Sequence, residues 1–227
     1  MMRSLKQSLR DIAAMLTALA AFAAPVAVSR GQTPPSRDDI VNQLSRFETA
    51  PELDIAALRQ KVLDKSRSRS RNEPEPSKRP PIVPELLNLP TFTVNIDFDN
   101  DTPVVRPSSY QTVGRIADAL VNSSLLPYSF LIVGHTDSNG RREANVQLSQ
   151  RRADAIRDSL VNTFKISSKR LQSLGLGEEQ FVDQAHPTSP ANLQIQIVTI
   201  AKLPEQSEQP TQPASASKST KKSAKKR

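Results

Sequence analysis

In this 227-residue chain only residues 91–202 carry the sustained apolar periodicity that a folded core needs. Thr91-Phe-Thr-Val-Asn-Ile-Asp-Phe98 alternates Phe92, Val94, Ile96 and Phe98 with polar residues, which predicts a half-buried strand. Pro107 suits the first turn of a helix. Tyr110, Val113, Ile116, Ala117, Leu120 and Val121 then recur at helical spacing, predicting a helix over residues 107–122. Phe130-Leu-Ile-Val-Gly134 is continuously apolar and predicts a strand covered on both faces. A long helix is expected over 142–163, with Leu148, Ala153, Ile156 and Leu160 as its apolar stripe. Short strands are expected over 170–176, closed by Gly175 and Gly177, and over 193–201, where Leu193, Ile195, Ile197 and Thr199 share a face. This order predicts an α+β domain of βαβαββ type, with helices packed on one face of a mixed sheet. A stretch of this length buries roughly 65% of its unfolded surface, enough for a proper core.

The flanks read differently. Residues 1–29 have the form of a secretory signal. Arg3, Lys6 and Arg10 precede an apolar run over residues 12–28, and Ala21-Phe22-Ala23 and Ala27-Val28-Ser29 are small-x-small cleavage candidates. The run falls short of a comfortable membrane span and Pro25 interrupts it, so cleavage is favoured over an anchor. Residues 30–64 form a weakly helical segment: Ile40, Leu44 and Phe47 share one face, as do Ile55, Leu58 and Val62, with Pro51 between the two pieces. Such short helices are marginal alone and need something to dock on. The Arg/Ser run from Lys65 to Arg71, followed by Pro74, Pro76, Pro80, Pro81, Pro84 and Pro90, predicts an extended, solvated linker over 65–90. Residues 203–227 end in Lys and Arg and are expected to be a disordered basic tail.

Charge and composition narrow the function classes. The net charge is +8, which suits acidic partners such as nucleic acid, anionic lipid or anionic wall polymers. Aromatic residues are only 4% and Trp is absent, so a base-stacking site has little to work with. The lack of Cys excludes disulfides, thiolate metal sites, a Cys nucleophile and a lipid-modified N-terminal Cys.

One stretch carries the chemistry: Gly134-His-Thr-Asp-Ser-Asn-Gly140, then Asn145, then Leu148-Ser-Gln-Arg-Arg-Ala153. A strand ends at Gly134, six polar turn-forming residues follow, and a helix begins. Loops after strand C-termini are where open α/β sheets bind ligands, and the next helix N-terminus favours a carboxylate. Asp137 lies in that loop. Asn145 and Arg152, seven residues apart, return to within about 20° of one helix face. Helical side chains lean toward the N-terminus, so Arg152 is expected to point back at the loop. One carboxylate and one guanidinium at one cleft fit a zwitterion. Asp137 would accept from an ammonium, and the Arg152 fork would hold a carboxylate in a way no Lys could reproduce.

These spaced elements resemble the signature of the OmpA C-terminal, MotB and Pal domains, over about residues 91–202. Ile96-x-Phe98, Leu171 and Leu174-Gly-x-Gly-Glu178 occupy matching places. The resemblance implies an OmpA-like domain and non-covalent binding of peptidoglycan through the diaminopimelate of its stem peptide. Asp137 and Arg152 match the ligand-holding residues; Thr136, Asn145 and Leu148 match supporting pocket positions. Two departures stand out. The family usually has Asn-Arg-Arg-Val in its last strand, whereas this chain has Asn192-Leu193-Gln194-Ile195, and Ala144 replaces a frequent aromatic.

The expected function is therefore anchoring of an envelope protein to the cell wall, in the periplasm or at the periplasmic face of the outer membrane. No catalysis, cofactor, metal or nucleic acid is expected. Basic-tail binding to anionic envelope polymers or lipid is a further expectation, and a homodimer is admitted. Rival readings are a cell-wall peptide hydrolase and a tail-driven binder of anionic polymers. His135 and His186 are the only histidines, too few for a multi-His metal site. His135 is expected to hold the loop by hydrogen bonds. Ser149 has no Gly-x-Ser-x-Gly context and reads as a polar helix position rather than a nucleophile.

Overall fold

The computed structural model describes residues 35–49, 52–68, 74–75, 78–181 and 183–204. The expected export signal, most of the Arg/Ser run and nearly all of the basic tail lie outside the described residues. Among the described residues the α-helices and β-strands run in the order α1 (Arg37–Leu44), α2 (Ile55–Arg67), β1 (Thr91–Val94), α3 (Tyr110–Leu120), β2 (Tyr128–His135), α4 (Arg142–Asn162), β3 (Leu171–Gly177) and β4 (Ile195–Lys202). Among the described residues no helix is long and apolar enough to cross a membrane.

The strands form one sheet in the order β1-β4-β2-β3. β2 and β3 are parallel and joined across α4, whereas β4 runs antiparallel to both β1 and β2. The mixed sheet with α3 and α4 on one face is the architecture the residue pattern predicts. On that face Phe130 and Ile132 of β2, Ile195 and Ile197 of β4, and Phe92 of β1 meet Val113, Ile116 and Leu120 of α3 and Ala153, Ile156 and Leu160 of α4. Leu131 and Val133 point the other way, which explains the uninterrupted apolar run: β2 is buried on both sides.

The N-terminal helices have docking partners that periodicity could not name. α1 starts at Ser36, whose Oγ accepts from the Asp39 N–H, and it buries Ile40 and Leu44 in the α3 face of the core. The Thr199 hydroxyl donates to the Leu44 carbonyl at its far end, 2.8 Å away. α2, capped by Asp54, puts Ile55 and Val62 on the opposite sheet face. Its Arg59 donates through Nη2 to the Ser173 carbonyl, at 2.8 Å, on the edge strand β3. Covering an exposed strand edge in this way blocks pairing with another chain.

Two expectations are corrected. Part of the segment expected to be a solvated spacer is core. Val83, Leu86 and Leu89 are buried against Leu131, Val133, Leu174, Leu176, Val198 and Ile200. Pro84 between them and the flanking prolines limit helix formation to one short turn, but they do not prevent apolar side chains from packing. The first strand also stops short of Phe98. Val94 pairs with Ile195, where β4 begins, so no partner exists beyond it. The inward–outward alternation persists to Phe98, but as a loop: the Asp97 N–H donates to Ser109 Oγ and Phe98 bridges to Val105.

Candidate functional site

α4 lies close to the sheet because β2 and β3 offer glycine beneath it. A Cβ on Gly134 would collide with the Ser149 carbonyl, and one on Gly175 with the Gln150 N–H. Ser149 is fully buried at this contact; its Oγ donates to the Val146 carbonyl and accepts from the Gly177 N–H, both at 2.9 Å. With both roles occupied by backbone, it serves packing. This close seat places Asn145, Leu148 and Arg152 beside the loop that leaves β2.

All five residues singled out from the sequence, Thr136, Asp137, Asn145, Leu148 and Arg152, line one cavity of about 270 Å³. Asp137 and Arg152 face it without pairing. Asp137 is occupied within its own turn, accepting from the Asn139 backbone N–H at 3.1 Å and side-chain amide at 2.7 Å. An ionised carboxylate has about four acceptor positions, so capacity for an ammonium remains. Arg152 donates through Nε to the Thr102 carbonyl at 3.1 Å, and its guanidinium sits 5.0 Å over the Phe98 ring. Burial lowers the Arg152 pKa, opposed by the carboxylates of Asp101 and Asp137. Arginine nevertheless stays protonated in proteins, so the cavity holds a fixed, half-desolvated cation across from an anion.

Asn145 is buried and acts as a tie. Its amide donates to the Asp137 carbonyl at 3.2 Å and to Glu178 Oε2 at 2.9 Å. Glu178 in turn accepts from Arg79 of the Pro-rich segment at 3.2 Å. Next to it Arg142 and Glu179 form a buried, two-pronged ion pair. Thr136 is 2% exposed and its Oγ1 has no hydrogen-bond partner.

His135, at the end of β2, holds the loop after β3. Nδ1 donates to the Gln180 carbonyl at 2.9 Å, and Nε2 lies 3.0 Å from the Gln196 side-chain amide. Burial lowers its pKa below the ordinary 6.5, outweighing those hydrogen bonds. The neutral ring is therefore the folded form, and Gln196 must turn its NH2 toward Nε2. An unfolded chain takes up this proton near pH 6.5 while the folded one resists, so stability is intact above that pH and declines below it. Thermal midpoints are expected to fall between pH 7 and pH 5, with a shallower slope in His135→Asn. An unchanged slope in that variant would assign the acid sensitivity to other groups.

Sequence reasoning missed several contributors. Asn100, Asp101 and Thr102 come from the loop between β1 and α3, for which no role was read, and Phe98, read as the end of a strand, belongs to the same loop. The run Asp97-Phe-Asp-Asn-Asp-Thr102 was the available signal, since dense turn-formers rarely continue a strand. The two positions without arginine, Leu193 and Gln194, were expected inside the last strand but precede it. Asn192 is fully buried and its side chain bonds the backbone of Asp183, His186 and Pro187, so this stretch is held in a loop and pairing starts at Ile195. Leu193 consequently forms part of the cavity wall.

A four-stranded mixed sheet packed with helices, with a loop-and-helix cleft beside it, defines an α+β domain. Residues 97–193 match the model of the OmpA family, and this part of the chain is an OmpA-like domain. The chain is 34% identical over 100 residues to outer membrane porin F of Pseudomonas aeruginosa, covering 44% of this chain and 27% of the porin. It is 38% identical over 93 residues to the peptidoglycan-associated lipoprotein of Mesorhizobium japonicum, covering 39% of this chain and 54% of the lipoprotein. The match thus spans about a quarter of one relative and half of the other. The crystal structure of the peptidoglycan-associated lipoprotein from Burkholderia pseudomallei is 28% identical, with a TM-score of 0.38, over 47% of this chain and 88% of that one.

Proposed function

We propose that the OmpA-like domain binds peptidoglycan without changing it, through the diaminopimelate of the stem peptide, and so anchors an exported envelope protein to the cell wall. The observation that carries this reading is that Asp137 and Arg152 line the same cavity without forming an ion pair with each other. The ammonium of a zwitterionic residue would go to Asp137 and its carboxylate to Arg152, with Leu148 against the aliphatic stem between them. Thr136 Oγ1 would gain its missing partner. The relative named as peptidoglycan-associated points to the same polymer.

In this reading residues 1–29 direct export and the OmpA-like domain faces the periplasm. Each charge-assisted hydrogen bond contributes about 1.5–3 kcal/mol, so a single site holds modestly. A wall of repeated ligands then makes attachment firm when several copies engage. The reading is non-enzymatic: the cavity's polar groups suit recognition, and the buried Ser149 hydroxyl is committed to backbone.

Co-sedimentation of the full chain with isolated sacculi tests this. The wild type is expected to pellet with the wall, and a folded Asp137→Ala, Arg152→Ala double variant to remain in solution. Equal pelleting of both would refute the site.

A further inference from the structure

A second cavity, of about 250 Å³, shares Asn100, Arg152 and Leu193 with the first. Either alone falls below the roughly 300–1,000 Å³ usual for ligand pockets, whereas the two together reach it. The wall of the second cavity contains Arg106 and Gln194. Gln194 is oriented by chemistry: its Nε2 donates to the Ala191 carbonyl, so Oε1 is left, buried and without a partner. Arg106 donates through Nε to Asp99 at 3.0 Å, but both side chains are about half exposed, 48% and 55%. Exposed pairs of this kind hold weakly, so Arg106 can turn to a better partner.

We propose that this second cavity is a subsite for the peptide attached to the zwitterionic residue, with Arg106 as its carboxylate anchor and Gln194 Oε1 as acceptor for a peptide N–H. The assignment rests on the reading of Asp137 and Arg152 given above. It also accounts for a last-strand entry without arginine. The wall formed by Leu193 and Gln194 is neutral, and the second cation enters from the opposite side, on the loop before α3. Asp97 shares that wall, with its Oδ2 accepting from the Ser108 hydroxyl at 2.8 Å. The ligand class is a peptide with an additional free carboxylate next to the zwitterionic residue. A γ-linked glutamate preceding diaminopimelate has that form.

Calorimetric titration of the full chain with free diaminopimelate and with γ-glutamyl-diaminopimelate tests the proposal. The dipeptide is expected to bind about ten-fold tighter, the scale of one charge-assisted hydrogen bond. Arg106→Gln, a change at an exposed residue, is expected to erase that advantage and leave free diaminopimelate unaffected. A dipeptide no tighter than the free amino acid, or an Arg106→Gln variant weakened equally toward both, overturns the subsite while the first site stands. Binding of neither ligand by the wild type overturns both readings.

Discussion

A chain that begins at residue 91 is expected to be several kcal/mol less stable than one that begins at residue 35, and to aggregate. The shortened chain keeps every strand but loses α1, α2 and the buried side chains of Val83, Leu86 and Leu89. Leu131, Val133, Leu174, Leu176, Val198 and Ile200 then form an open apolar face. Fully exposing such a side chain costs about 1.5–3 kcal/mol. Partial exposure of six of them is comparable with the roughly 5–15 kcal/mol that holds a domain together. The β3 edge would also lose Arg59, uncovering a strand able to pair with other chains. Urea unfolding and light scattering of the two chains would measure this; equal midpoints would show that the arm is an ornament.

Glu179→Ala carries the second large effect. Arg142 would lose the two-pronged Glu179 carboxylate inside the protein, next to the Glu178–Asn145 tie that supports the Asp137 loop. Removing one member of a buried pair typically costs about 3–5 kcal/mol. At about 2–4 °C per kcal/mol, the thermal midpoint should fall by roughly 10 °C. The double change Arg142→Met, Glu179→Leu is expected to recover most of that loss. If Glu179→Ala leaves the midpoint within a degree, the pair is not buried in solution as described here.

The elements easiest to read were those in which one local pattern decides the outcome. β2 is apolar at successive positions because both of its faces are covered, and α4 is long enough for its stripe to be unambiguous. β1 was read too long because burial alternates to Phe98 although its pairing with β4 ends at Val94. The docking of α1 and α2 could not be read, since an apolar face shows that a helix needs a partner but not which one. Pro80, Pro81 and Pro84 drew attention away from Val83, Leu86 and Leu89, whose three-residue spacing was itself a packing signal.

The candidate cavity divides in the same way. Asp137 and Arg152 were legible because loop and helix adjoin in sequence. Thr102 and Phe98, which hold the Arg152 guanidinium, lie some fifty residues earlier and meet it only through the sheet. Glu178 stood in a recognised motif, yet its bond to Asn145 depends on the parallel pairing of β2 with β3. Arg170 has a comparable hidden role: it is buried without a carboxylate and donates to the carbonyls of Leu120, Leu125 and Tyr128, joining the end of α3 to β2.

The most direct test of the account is a calorimetric titration of the full chain with three small molecules. These are diaminopimelate, pimelate, which has only the carboxylates, and 1,5-diaminopentane, which has only the ammonium groups. Heat of binding with diaminopimelate alone, lost in Asp137→Ala and in Arg152→Ala, is the predicted result. Binding of pimelate or the diamine as tightly as diaminopimelate, or no binding of diaminopimelate by the wild type, would contradict a cleft that recognises both signs at once.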